Sequence, residues 1–368
     1  MNQRELFQAT CAHVPHDDFL FYMNFTPDLK RRVCEAHCLD EDANLCEVFG
    51  MYNPVGLQLQ PPEGQEASDF SVYYEDYDRP EGSYINYLGV LNIPANFYHF
   101  TGYVSPLRNA QRFEDIESFP YPDLSEHTEE HMAEQVQTAH EERRPAICWV
   151  GHIYENAWQI RGYQQFLEDM MDRPEWCEYI LDRLMERNKI KACAAARAGA
   201  DMLRTGDDVA NQETMMFSPD QWRRFLKVRW AEIYEAARSI KPDIEIWYHS
   251  DGNLEAVIPE LVEIGVTILN PVQPECMDPK DIKARWGDKL VLDGTIGTQS
   301  TMPWGSPEEV RSVIRQRKKD IGYDGGLILS PTHVLEPEVP LENIRAFIDE
   351  AGGILPPLAG GERRSGHS

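Results

Sequence analysis

Asp207 and Asp208 stand side by side after a short apolar run, and His249 and Asp251 stand two residues apart after another. Adjacent carboxylates raise one another's proton affinity, so the first pair has the makings of a general acid and base. Helix capping or an ion pair would use the same two residues without any chemistry. In an extended segment alternate side chains share a face, so His249 and Asp251 can reach one ion. His333, near the end of the chain, completes a two-histidine, one-carboxylate set with open positions, suited to zinc or another divalent metal. Without metal, the same histidines would bind substrate by hydrogen bonds, with His249 as a catalytic group. Cys276, in the loop Gln273-Pro274-Glu275-Cys276-Met277-Asp278, is either a further metal ligand or an incidental thiol.

Other polar residues follow apolar runs in the same way. Glu155 and Arg161 come after an early run and are candidates to bind and orient a substrate carboxylate, or simply to pair with each other. Asn270, Gln273, Asp293 and Gln299 are candidate substrate-binding residues. Cys34, His37 and Cys38 have helical spacing, but they lack the tight turn of a zinc knuckle and read as thiols on an N-terminal helix. No Gly-x-Ser-x-Gly elbow, phosphate loop or His-Glu-x-x-His helix occurs, which removes those mechanisms.

The elements that must position these groups alternate. Strand-like runs at 146–150, 201–205, 244–249, 267–270, 290–293 and 327–330 are separated by helical patterns at 175–198, 220–240, 254–264, 279–286, 307–321 and 341–350. Ser218-Pro219 and Ser306-Pro307 are N-cap signals, and Gly265 and Gly287 mark helix ends. One repeated strand–helix order implies parallel strands. Residues 19–24 and 45–52 read as two more strands, and a total of eight favours an α/β fold of the closed (β/α)₈ TIM-barrel type, whose chemistry sits at the C-terminal tips of the strands. No glycine-rich dinucleotide loop supports an open nucleotide-binding sheet. Residues 58–112, rich in Tyr, Phe, Pro and Gly, break the alternation and predict an insertion of hairpins and loops. Residues 114–142 predict an extended linker before a short helix, so that 58–142 forms a rim or lid over the barrel mouth. Residues 1–359 are thus expected to form a single barrel domain, with 360–368 a disordered tail.

A net charge of −27 over 368 residues disfavours nucleic acid and anionic lipid as partners. No apolar run approaches the length of a membrane span, and no basic-then-apolar leader is evident. The expectation is a cytoplasmic protein, monomeric or homodimeric, acting on a small molecule, with its eight cysteines reduced.

The strand-tip motifs together resemble the uroporphyrinogen decarboxylase superfamily. They are Tyr154-Glu155-Asn156-Ala157-Trp158 with Arg161-Gly162, Gly206-Asp207-Asp208, and Tyr248-His249-Ser250-Asp251-Gly252. Asn270-Pro271-Val272-Gln273-Pro274, Pro303-Trp304-Gly305-Ser306-Pro307 and Ser330-Pro331-Thr332-His333 follow in the family's order. The resemblance spans roughly 146–352 and implies a barrel. It also implies one of two activities: porphyrinogen decarboxylation, or zinc-dependent methyl transfer with a corrinoid protein. The decarboxylases' Arg-Gln-Ala-Gly-Arg motif is missing from the region around 19–30, and a mouth rich in carboxylates would repel a polyacidic porphyrinogen. The methyltransferases' His-x-Cys pair is replaced here by His249-Ser250-Asp251, and their distant cysteine by His333. The resemblance therefore implies a methyltransferase-like enzyme with nitrogen and oxygen in place of sulfur, working with a corrinoid carried by a partner protein. A carboxy-lyase acting on a small non-porphyrin acid is the alternative, and a ligand-binding barrel without turnover is a third.

Overall fold

The computed structural model describes all residues except 66–67, 95–100 and 359–368. The expected tail therefore lies outside the described residues. Seven parallel strands form the main sheet in chain order: β1 (Val55–Leu57), β2 (Ala146–Gly151), β3 (Met202–Gly206), β4 (Glu245–His249), β5 (Ile268–Asn270), β6 (Val291–Asp293) and β7 (Leu327–Ile328). The eighth position is filled by the chain at 20–22. On one side Leu329 donates its N–H to Leu20 O (2.8 Å) and Tyr22 N–H reaches Leu329 O (3.1 Å). On the other, Tyr52 N–H reaches Phe21 O (2.7 Å), just ahead of β1.

The core shows the same closure. One cluster gathers Leu20, Tyr52, Ile147, Met202, Trp247, Ile268, Val291 and Ile328, one side chain from each position around the ring, with Leu6 and Phe7 of the helix Gln3–Cys11 packed among them. Their neighbours Phe21, Cys148, Leu203, Ile246, Leu269, Leu292 and Leu327 belong to a separate, larger cluster shared with the surrounding helices. Two cores divided by strand parity are what a closed cylinder requires, because alternate side chains point inward and outward.

The expected helices form as Pro174–Ala198, Pro279–Trp286, Pro307–Asp320 and Leu341–Ala351. Ser218 and Ser306 each cap a following helix through a reciprocal capping box. The segment at 220–240 is helical throughout but contains a π turn at Arg223–Lys227 before Val228–Ile240.

Residues 45–52 depart from the strand reading. They contain the helix Leu45–Phe49, started by the Asn44 side chain accepting from Cys46 N–H (3.1 Å) and ended by Gly50 at φ 68°. These two signals bracket one short apolar run, and the strand forms only after Pro54. Residues 58–112 contain an antiparallel sheet of Tyr84–Ile85, Leu91–Ile93 and Gly102–Val104, matching the hairpin expectation. Residues 114–142 carry two helices rather than one, Phe113–Glu117 and Glu130–Glu141. No helix among the described residues is long and apolar enough to cross a membrane.

Candidate active site

Strand parity sorts the polar residues at the barrel's C-terminal end. On β3, Met202 belongs to the barrel interior and Leu203 to the outer core, so the inward series continues through Arg204 and Gly206 to Asp208, while Thr205 and Asp207 point outward. A side chain at 206 has no room: a β-carbon there would lie 2.4 Å from the carbonyl oxygen of His249. On β4 the inward series is Trp247, His249 and Asp251. Arg204, Asp208, Trp247, His249 and Asn270 line one cleft of about 320 Å³ at the strand tips, together with His333.

The adjacent carboxylates therefore do different work. Asp207 is fully buried outside the cylinder, where it accepts from the backbone N–H of Ile153 (2.9 Å) and Glu155 (3.2 Å) and from the Trp230 indole (2.9 Å). Burial, with Glu155 adding to it, pushes its carboxyl up to about 7 against the pull of His152 and these donors. It faces no cleft, so the expected acid–base pair is replaced by a positioning residue, Asp207, and a cleft residue, Asp208. Asp208 Oδ1 accepts from Asp251 N–H (2.8 Å) and lies 3.6 Å from His249 Nε2.

His249, Asp251 and His333 converge, with one ligand atom of each lying within 4.8 Å of the others. His249 Nε2 is 3.9 Å from Asp251 Oδ1, and His333 Nε2 is 4.0 Å from Asp251 Oδ2. Donors around a tetrahedral zinc are separated by about 3.4 Å, so a small contraction would close the set. Asp251 Oδ1 is buried with no hydrogen-bond partner. Burial raises the Asp251 carboxyl, opposed by His249 and reinforced by Asp208.

The tautomer of His249 follows from the residues beneath it. Asp293 is buried and accepts from Trp247 Nε1 (2.8 Å), Tyr22 OH (2.9 Å) and Ser330 Oγ (2.7 Å). Burial raises its carboxyl, and these donors oppose the rise. Because Tyr22 gives its proton to Asp293, its oxygen is left to accept from Asn270 Nδ2 (3.3 Å). Asn270 then presents Oδ1 to His249 Nδ1 at 2.7 Å, which must be the protonated nitrogen. The Nε2 lone pair is thereby turned toward Asp208 and Asp251, the orientation a metal-binding histidine takes.

A second group surrounds His152, which the sequence reading missed. His152 Nδ1 lies 2.6 Å from Glu155 Oε2 and 2.6 Å from Gly206 O. Burial lowers the imidazole's proton affinity, but Glu155 and Asp207 outweigh it and carry the group up to about 9. Its position immediately after β2 was the available signal. Arg204 and Tyr22 were also missed, being inward residues below the strand tips.

The remaining candidates divide. Asn270 lines the cleft but is committed to His249, and Asp293 orients Tyr22 rather than substrate. Gln273 and Gln299 line an adjoining cleft of about 380 Å³ that also touches Asp251 and His333, so the trio stands where the two clefts meet. Glu155 borders the main cleft and is held by His152. Arg161 does not face a cleft: its Nε–H binds Asp169 at 2.7 Å and its Nη1 binds Leu107 O at 2.6 Å, fastening the insertion to the helix Tyr154–Arg161. Cys276 stays outside the trio, and burial with Glu275 and Asp251 pushes its thiol up to about 11. Cys34 is buried and Cys38 exposed, and they form no ligand cluster among the described residues.

The family profile described as uroporphyrinogen decarboxylase (URO-D) matches residues 101–353. Among solved structures, a methyltransferase from Methanosarcina mazei is 18% identical, with 96% of this chain and 98% of that chain covered and a TM-score of 0.64. An alpha-amylase from Geobacillus thermoleovorans (11% identity, 61% and 60% covered, TM-score 0.37) and an endo-1,4-beta-xylanase from Caldicellulosiruptor owensensis (12%, 64% and 86%, TM-score 0.36) are far less similar. No curated protein sequence matches the chain.

Proposed function

The chain belongs to the uroporphyrinogen decarboxylase family, and from its site we propose a methyltransferase-like enzyme. It would move a methyl group between a small methylated compound and a corrinoid carried by a partner protein. His249, Asp251 and His333 would hold a divalent metal, zinc foremost. The observation that carries this reading is the pair of open lone pairs in the trio: a His249 Nε2 turned toward Asp208 and Asp251 by the hold of Asn270 on Nδ1, and a buried Asp251 oxygen without a partner. The full-length likeness in fold to a methyltransferase supports it further.

When bound, the metal would supply a Lewis acid that polarises the heteroatom gaining or losing the methyl. A nitrogen–oxygen donor set favours an oxygen or amine substrate over a thiol. Asp208, beside His249 and bordering the cleft, takes or returns the proton of that heteroatom. His152 balances the charge of Glu155 at the same wall, and Trp149 and Trp247 narrow the cleft against water. A cleft of about 320 Å³ accepts a small molecule and leaves a corrin macrocycle at the mouth.

The test is elemental analysis of the purified chain, joined to an assay of free methylcobalamin with small oxygen and amine acceptors, followed in the visible spectrum. About one metal per chain and acceptor-dependent demethylation are expected, with both lost in His249→Ala. A metal-free chain that releases carbon dioxide from a small acid would replace this reading with the carboxy-lyase.

A further inference from the structure

Arg204 stands out in a chain where acidic residues outnumber basic ones by 62 to 35. It projects inward from β3 and lines both the main cleft and a smaller cavity of about 150 Å³ beneath it. Among the described residues it has no carboxylate within ion-pair distance and no hydrogen bond, and its Nε is buried without a partner. Its guanidinium is held by aromatic faces instead, 4.1 Å from the Trp247 ring centroid and 5.9 Å from that of Trp149. The nearby acid Asp293 is already occupied by Trp247, Tyr22 and Ser330. A half-buried guanidinium with unmet donors, stiffened by stacking, is a preorganised anion receptor.

We infer that Arg204 binds the carboxylate, or a like monoanionic group, of the substrate whose methylated heteroatom lies at His249, Asp251 and His333. This rests on the proposed function for the heteroatom's place, but the anion site stands by itself. The register pairs Gly206 with His249, so Arg204 lies two residues deeper along the strand, about 7 Å. A substrate spanning that step is a short chain with an acid at one end and a methoxy or methylamino group at the other. A neutral methyl compound would leave the guanidinium unmatched, and a methylated cation would meet a like charge between the tryptophans. The protonated His152 joins Arg204 against Glu155 and Asp208, so a monoanion can enter where a polyacid is repelled.

Calorimetric titration of the full chain with 4-methoxybutyrate and 5-methoxypentanoate, against their neutral counterparts 4-methoxybutan-1-ol and 5-methoxypentan-1-ol, tests the assignment. The acids are expected to bind at least about tenfold tighter, with Arg204→Gln removing the preference and Arg204→Lys retaining part of it. Repeating the titration after chelation keeps the two proposals apart: the anion preference survives metal removal, whatever becomes of methyl transfer. Equal binding of acids and neutral compounds, a preference unchanged in a folded Arg204→Gln, or no binding of any acid overturns the inference.

Discussion

Two groups of histidine and carboxylate face the same end of the barrel, and they differ in how far their bonds are met. Around His152, contacts are short and complete: Glu155 and Gly206 O both lie 2.6 Å from Nδ1, and Asp207 receives three N–H donors. Around His249, Asn270 holds Nδ1 at 2.7 Å, but Nε2 stands 3.6 Å from Asp208 and 3.9 Å from Asp251, too far for hydrogen bonds, and Asp251 keeps a buried oxygen without a donor. Burying an unmatched polar atom costs free energy, which a ligand bonded to Asp251 would recover. The first group resembles framework and the second a receptor, although both contain the residue types of a metal site.

The sharpest way to break that contrast is to remove one histidine-linked group from each side. His249→Ala is expected to weaken zinc binding by at least about a thousandfold, and Glu155→Ala to leave it nearly unchanged. Competition with a chromogenic chelator measures both, and equal losses would erase the distinction. Next in size is Arg161, whose bonds to Asp169 and Leu107 are all made inside the protein. Arg161→Ala is expected to cost about 3–5 kcal/mol of stability in urea unfolding, because it strands a buried Asp169. A stable variant with impaired ligand binding would return Arg161 to the site.

Asn270 sharpens the comparison, since it decides which nitrogen of His249 is bare. Asn270→Leu is expected to weaken zinc roughly 10–100-fold while the fold persists. A further contrast concerns pH. His152 titrates near 9 when folded against about 6.5 when unfolded, so folding favours its protonated form. That stabilisation is complete below about pH 6.5 and disappears as pH rises through 9, amounting to about 3 kcal/mol. Urea unfolding at several pH values should show this decline in the wild type and its absence in Glu155→Gln.

Periodicity, caps and glycines made the strand–helix alternation after residue 145 readable, because each signal acts within a few residues of itself. The pairing of His249 with Asp251 was readable for the same reason, as strand parity is a local property. The N-terminal strands were harder. Residues 45–52 hold enough apolar side chains for a strand, but Asn44 and Gly50 close them into a helix, and the pairing at 20–22 exists only because Leu329 and Tyr52 supply partners from elsewhere in the chain.

Residue types and spacing by themselves determined that carboxylates, amides and histidines would gather at one end of a parallel barrel. Tertiary structure alone decided which of them face the cavity. Parity along β3 turned Asp207 outward to Trp230 and Asp208 inward, Asp169 claimed Arg161, and the link from Asp293 through Tyr22 and Asn270 fixed the proton on His249. These outcomes depend on contacts between residues far apart in sequence, and no local pattern encodes which distant group will arrive first to satisfy a donor or an acceptor.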